Sequence, residues 1–208
     1  MYSVKEIYYT IQGEGYHSGR SAVFCRFSGC NLWSGREEDR ANAICQFCDT
    51  NFWGTDGIDG GKYKLEDLVS KIMDLFPDET IDPFVVFTGG EPALQLDQKL
   101  VDALHLEGIT IAIETNGTKP LPENIDWICV SPKANTEIVI TSGHELKIVV
   151  PQKGIDPEEF IIMDFEHYYL QPMESSDWDD NVIYAVNYCK SNPFWKLSVQ
   201  THKYLGIN

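Results

Sequence analysis

Apolar, β-prone runs recur along the chain at 22–28 (AVFCRFS), 84–88 (FVVFT), 109–114 (ITIAIE), 126–130 (DWICV), 145–150 (ELKIVV), 167–170 (HYYL) and 194–199 (FWKLSV), and they predict strands. Between them Leu65, Leu68, Val69, Ile72, Met73 and Phe76 repeat at helical spacing. So do Ala93, Leu96, Leu100, Ala103 and Leu104 behind Pro92, a residue suited to the first helical position. A third helix is expected over 177–190. Alternating strands and helices predict an α/β architecture with a parallel sheet. The later part is rich in strands, and a full eightfold barrel takes about 250 residues. A chain of 208 residues therefore fits a shortened, partial (β/α) barrel formed by one domain over 1–208. Two polar or Gly-rich stretches, 31–44 and 54–61 (GTDGIDGG), read as loops, and there is no internal repeat or low-complexity tract.

Composition narrows the function. With 43% hydrophobic and 12% aromatic residues the chain carries enough apolar side chains for a core. Its formal charge of −16 and its lack of a Lys/Arg cluster argue against direct binding to nucleic acid. Lys5 and Glu6 interrupt the stretch where a signal peptide is apolar, and no run approaches the roughly 20 residues that span a bilayer. A cytoplasmic protein without a membrane partner is the expectation.

Six cysteines in a chain of this size point to metal or catalytic use before disulfides. Cys30, Cys45 and Cys48 form a C-x14-C-x2-C pattern, the first just beyond a predicted strand. Three thiolates on a cube of four irons leave one iron for a ligand from outside the protein. S-adenosylmethionine (SAM) fills such a vacancy through its amino and carboxylate groups. By spacing alone, a structural zinc site completed by His17 or Cys25, or three ordinary buried cysteines, stands ahead of the cluster. Cys25, Cys129 and Cys189 fall in predicted strands or a helix and are assigned to the core.

Further polar motifs each follow a predicted strand: Thr88-Gly89-Gly90-Glu91, Glu114-Thr115-Asn116-Gly117, Ser131-Pro132-Lys133, Gln171-Pro172-Met173-Glu174 and Gln200-Thr201-His202. The C-terminal ends of parallel strands carry the active sites of α/β barrels, so these motifs converge on one rim. A zinc module explains none of them.

With Tyr9-Thr10-Ile11-Gln12-Gly13-Glu14-Gly15, Arg26-Phe27-Ser28-Gly29-Cys30-Asn31-Leu32, Cys48-Asp49-Thr50, TGGEP at 88–92 and the LSVQTHKYLGI ending, the chain resembles the radical SAM superfamily nearly end to end. Within it the resemblance is to the 7-carboxy-7-deazaguanine synthase family, in the subgroup with an enlarged cluster loop. The departure from the superfamily is the spacing of fourteen residues, rather than three, between Cys30 and Cys45. A longer loop adds only a logarithmic entropy cost. The resemblance implies a radical SAM lyase of the shortened-barrel fold with a 4Fe–4S cluster on Cys30, Cys45 and Cys48. SAM would meet Phe47, Asp49, Gly89, Gly90, Glu91, Glu114, Asn116, Ser131, Pro132, Lys133, Gln171, Pro172, Met173 and Glu174. In this assignment the Glu91 side chain takes the SAM amino group and Phe47 the adenine. Substrate would meet Ile11, Gln12, Gly13, Glu14, Arg26, Thr88, His202 and the terminal carboxylate of Asn208, although similar sequences often end in proline there. Thr50 would ligate Mg²⁺, with substrate oxygens and water completing six oxygens.

The implied reaction starts from an external electron donor such as a flavodoxin. The reduced cluster cleaves SAM, and the resulting radical abstracts hydrogen at C6 of 6-carboxy-5,6,7,8-tetrahydropterin. Ring contraction and loss of ammonia then give 7-carboxy-7-deazaguanine for 7-deazapurine, queuosine-type, biosynthesis. No catalytic residue is implied beyond the cofactor and the groups that position it, and a homodimer is implied as the assembly. Without the resemblance the same residues also read as a polar hairpin loop at 12–15, a surface Lys133, a structural His202 and a helix-capping Thr50. A radical SAM activase acting on a protein glycyl radical and a zinc-binding structural module remain as alternatives.

Overall fold

The computed structural model describes residues 1–78 and 80–207. Its elements are β1 (Tyr2–Ile11), β2 (Ser21–Phe27), β3 (Gly61–Tyr63), α1 (Leu65–Met73), β4 (Phe84–Gly89), α2 (Gln98–Leu106), β5 (Thr110–Thr115), β6 (Trp127–Val130), β7 (Ser142–Val150), β8 (Asp164–Pro172), α3 (Trp178–Ser191), β9 (Lys196–Leu197) and α4 (Thr201–Leu205). Among the described residues the strands form one nine-stranded sheet in the order β3-β1-β2-β4-β5-β6-β7-β8-β9. From β2 to β9 every pairing is parallel, whereas β1 runs antiparallel to both β2 and β3. This is the partial α/β barrel, open between its two edge strands.

Alternation along each strand separates two environments. Val23, Cys25 and Phe27 on β2, Val85 and Phe87 on β4, and Ile111 and Ile113 on β5 face α1 and α2 in the larger core, where Phe27 and Phe87 stack 5.5 Å apart. Leu146, Ile148 and Val150 on β7 and Leu170 on β8 join Ala185 of α3 and Trp195 in a second core. The intervening residues point into the barrel: Ala22, Phe84, Val86 and Ala112 form a small apolar floor flanked by Phe24 and Trp127. The floor lies toward the strands' N-terminal ends, and the polar side chains of the same face gather at the C-terminal ends.

Three expectations change. The helix expected behind Pro92 divides into a 3₁₀ turn, Pro92–Leu94, and α2 beginning at Gln98. Two polar residues impose the break. Gln95 turns its side chain back to Ser3 and to the Ser28 carbonyl, while Asp97 accepts the Leu100 N–H at 3.0 Å as an N-cap and the Tyr2 hydroxyl at 2.8 Å. The strand expected over 194–199 shrinks to Lys196–Leu197, because Trp195 packs in the second core and Ser198 bonds Gln171. Part of the 31–44 loop coils into a 3₁₀ helix, Glu37–Asn42. Cys25 and Cys129 are buried in strands and Cys189 is partly buried in α3, as assigned. No helix among the described residues is long and apolar enough to cross a membrane.

Candidate active site

A cavity of about 410 Å³ opens at the C-terminal ends of the parallel strands, where loops after β2, β4, β5, β6 and β8 meet the segment around α4, and the hairpin loop between β1 and β2 lines it from the N-terminal end of β2. Cys30, Cys45 and Cys48 all line it as free thiols. Cys30 follows β2 directly, and its sulfur accepts the Leu32 N–H at 3.4 Å. The long insertion returns Cys45 to the same place because the Ile44 and Cys45 N–H groups both donate to the Leu32 carbonyl. Arg40 secures the rest. Its guanidinium donates to the carbonyls of Gln46 and Cys48 at 2.9 and 3.0 Å and lies 4.0 Å over the Trp33 ring. Burial pushes all three thiols up, so a positively charged group has to draw the thiolates out.

Gly89 and Gly90 give the cavity backbone rather than side chains. Gly89 has φ of +137°, and a Cβ on Gly90 would stand 2.8 Å from that of Cys30. Glu91 follows the two glycines. Its side chain is 0% exposed and does not line the cavity. One carboxylate oxygen accepts the Thr115 hydroxyl and the Ala93 N–H, and the other the Asn116 N–H, at 2.7, 2.9 and 2.7 Å. It therefore ties the loop after β4 to the end of β5. Pro132 and Met173 likewise lie outside the lining residues. Ser131, Lys133, Glu114, Asn116, Phe47, Asp49, Gln171, Pro172 and Glu174 are in it. Lys133 donates to the carbonyl and hydroxyl of Ser131, both at 2.7 Å, and burial pulls its pKa down.

On the opposite side Ile11, Gln12, Gly13, Glu14, Arg26, Thr88 and His202 also line the cavity. Asn208 lies outside the described residues. Gln12 bonds the Glu14 N–H through its amide oxygen at 3.1 Å, and its amide nitrogen lies 3.4 Å from Glu114. Glu14 meets Lys147 at 2.9 Å and Gln200 at 2.9 Å. Burial alone would raise its pKa, but the Lys147 charge and the hydrogen bonds from Lys147 and Gln200 bring it down to about 2. Arg26 is held by Glu6 at 2.8 Å and the Tyr8 hydroxyl at 3.1 Å. Gly13 lies flat against His202: a Cβ there would be 2.9 Å from the histidine Cβ. Burial lowers the His202 pKa. Thr50 lines the cavity in irregular backbone rather than at a helix start. Its neighbour Asp49 pairs with Lys203 at 2.7 Å and so links the cysteine segment to α4. Among the described residues no three His, Cys, Asp or Glu side chains are grouped to hold a metal ion.

The motifs miss Glu6, Tyr8, Arg40 and Lys147, and they give Gln200 and Lys203 no role of their own. A signal for one was available: in ELKIVV, Glu145 and Lys147 alternate with Leu146 and Ile148, which marks a strand with a polar inner face.

Comparison with known proteins gives a consistent result. Residues 39–201 match the radical SAM superfamily. The chain is 59% identical to a 7-carboxy-7-deazaguanine synthase of Burkholderia multivorans, over 99% of both chains. It is also 59% identical to one of Caulobacter vibrioides, again over 99% of both. The crystal structure of QueE from Escherichia coli superposes with a TM-score of 0.74 at 28% identity, covering 96% of this chain and 93% of that one.

Proposed function

Because the chain belongs to the radical SAM superfamily and, within it, to the 7-carboxy-7-deazaguanine synthase family, we infer that its cavity converts 6-carboxy-5,6,7,8-tetrahydropterin into 7-carboxy-7-deazaguanine with loss of ammonia. Family membership brings a 4Fe–4S cluster and SAM. The observation that carries the reading is the gathering of three free thiols and a polar wall of Gln12, Glu14 and Arg26 around one cavity. A zinc module accounts for the thiols alone.

Cys30, Cys45 and Cys48 are the cluster ligands in this reading, and Gly89 and Gly90, which line the cavity and pack closely on Phe27, Gly29 and Cys30, offer backbone to the methionine end of SAM. A bound cluster would supply the single electron for reductive cleavage of SAM. Phe47, Asp49, Glu114, Asn116, Ser131, Lys133, Gln171, Pro172 and Glu174 hold and orient SAM as cavity walls. By the same resemblance Glu91, Pro132 and Met173 belong to the SAM site, with Glu91 toward the SAM amino group. Glu14, ionised at neutral pH, accepts from the amino edge of the pterin, Gln12 reads its amide, and Arg26 meets its carboxylate. Ile11, Gly13, Thr88 and His202 close the pocket around the ring and exclude water from it. Thr50 offers a hydroxyl to Mg²⁺, and a single protein oxygen requires substrate oxygens to complete the shell. The electron donor in this reading is an external protein such as a flavodoxin, the assembly a homodimer, the compartment the cytoplasm and the pathway 7-deazapurine, queuosine-type, biosynthesis.

The test is anaerobic reconstitution with iron and sulfide, followed by turnover of the pterin with SAM, Mg²⁺ and dithionite, read by mass. Formation of 7-carboxy-7-deazaguanine is expected. SAM cleavage without that product would retain the radical enzyme and overturn the substrate. For the metal, calorimetry should find Mg²⁺ bound more tightly with substrate present, and equal affinity in its absence would remove Thr50 from the site.

A further inference from the structure

Lys147 is a buried cation that no motif introduces. It sits on β7 with its side chain turned into the barrel, and the residue is 3% exposed. Its ammonium donates to Glu14 at 2.9 Å and to Glu114 at 3.0 Å. The two carboxylates come from distant parts of the chain, one from the loop after β1 and the other from the end of β5. Each gives Lys147 its Oε2 and uses Oε1 elsewhere: Glu14 accepts from Gln200 at 2.9 Å, and Glu114 faces the Gln12 amide at 3.4 Å. Gln12 closes the circuit by accepting the Glu14 N–H.

Burying an ammonium is unfavourable unless carboxylates surround it, and an apolar side chain of similar volume would fill the same space at less cost. What an apolar side chain could not do is hold two carboxylates at a fixed separation. Glu14 lies on the substrate wall and Glu114 on the SAM wall, so the shared ammonium links the two ligand sites.

We propose that Lys147 is a positioning residue that makes binding of SAM and of the pterin mutually dependent. This rests on the functional reading above. A ligand that accepts the geometry of one carboxylate orders Lys147, and Lys147 orders the other carboxylate. The second ligand then meets a wall already in place and loses less conformational freedom on binding. Coupling of this kind falls in the range of about 5- to 150-fold and is reciprocal between the two ligands.

The experiment uses the full chain with its cluster reconstituted and left oxidised, so that no turnover occurs. Anaerobic calorimetry gives the SAM dissociation constant with and without 6-carboxy-5,6,7,8-tetrahydropterin, and the pterin constant with and without SAM. In the wild type each ligand is expected to tighten the other by the same factor, at least about fivefold. Lys147→Met should bring that factor to about one, and Lys147→Arg should restore most of it. A merely structural lysine would weaken both affinities while leaving their ratio intact, and that result overturns the proposal. Independent binding in the wild type overturns it without any variant, so a failure of Lys147→Met to fold does not protect it. Wild type that binds SAM but not the pterin overturns the substrate reading itself, and the inference with it.

Discussion

Arg40 is exposed enough to pass for a surface residue, with 27% of its side chain accessible, yet it holds the cysteine loop. Removing it as Arg40→Ala breaks two hydrogen bonds from a charged donor, to the carbonyls of Gln46 and Cys48, and uncovers the Trp33 face. Bonds from charged groups contribute about 1.5–3 kcal/mol each. A cation over an exposed aromatic face adds about 0.5–1 kcal/mol. The pair with Glu37, whose side chain is 77% exposed, adds little. Taking the low ends, about 3.5 kcal/mol together, and discounting them because water reaches this side chain, the loss is about 3 kcal/mol. At about 1.4 kcal/mol per factor of ten, this is roughly a hundredfold in the closed-to-open ratio of the loop. The loss falls on the loop and not on either core, so apo-protein melting should move by less than about 3 °C. Iron release from the reconstituted protein to a chelator, followed anaerobically by absorbance, should accelerate by tenfold or more. Arg40→Lys keeps the charge but not the planar fork, and should fall between. Iron release within twofold of wild type for Arg40→Ala would refute the role given to this residue.

Three further outcomes follow from the same geometry. Glu91→Ala strands two buried donors and one partly buried donor at about 1–3 kcal/mol each. Thermal unfolding should therefore fall by at least about 6 °C, and a shift below 2 °C would contradict the tie between β4 and β5. Gly13→Ala drives a methyl into His202, so the pterin KM should rise about tenfold or more while SAM cleavage without substrate stays near wild type; an unchanged KM would remove His202 from the pocket. Glu14, held at about 2 against an ordinary 4.5, contributes stability that is present above pH 4.5 and lost as pH falls toward 2. Denaturant unfolding should show the stability gap between wild type and Glu14→Gln, on the order of 3 kcal/mol near neutrality, closing over that window, and a gap that widened in acid would reverse the assignment.

How much of this was legible in the sequence depended on whether a signal was local. Strands β4 to β8 are short β-rich runs between turn residues, and the sequence placed them within a few residues. β1 escaped because its pairing with β2 shifts between Val4 and Glu6, so buried and exposed positions in YSVKEIYYTI do not simply alternate. The break before α2 depended on Gln95 and Asp97 finding partners some ninety residues away at Ser3 and Tyr2. The cysteine pattern was readable because all three lie in the one loop after β2, and most rim motifs because each lies at the end of its own strand. The burial of Glu91 was not legible in its motif, because two of the donors that hold its carboxylate, Thr115 and Asn116, lie at the end of β5.

Register also fixes the electrical character of the cavity. Glu114, Cys129, Glu145 and His167 are paired in succession across β5, β6, β7 and β8, and Lys147 stands one inward position above Glu145. Burial keeps the Cys129 thiol neutral, so Lys147 faces the acids Glu14, Glu114 and Glu145 as their shared cation, and Glu145 sits nearest the floor, where it accepts the Tyr16 N–H at 3.1 Å. This wall carries more acid than base, which favours amino, amide and hydroxyl donors and opposes a carboxylate. Arg26 is on β2, on the same inner face and across the cavity mouth, next to Thr88 of β4. A ligand with donors at one end and a carboxylate at the other therefore has one favourable orientation, donors toward Glu14 and carboxylate toward Arg26. A one-residue slip of β7 would turn Lys147 into the core and Leu146 into the cavity, losing that polarity and the second core together.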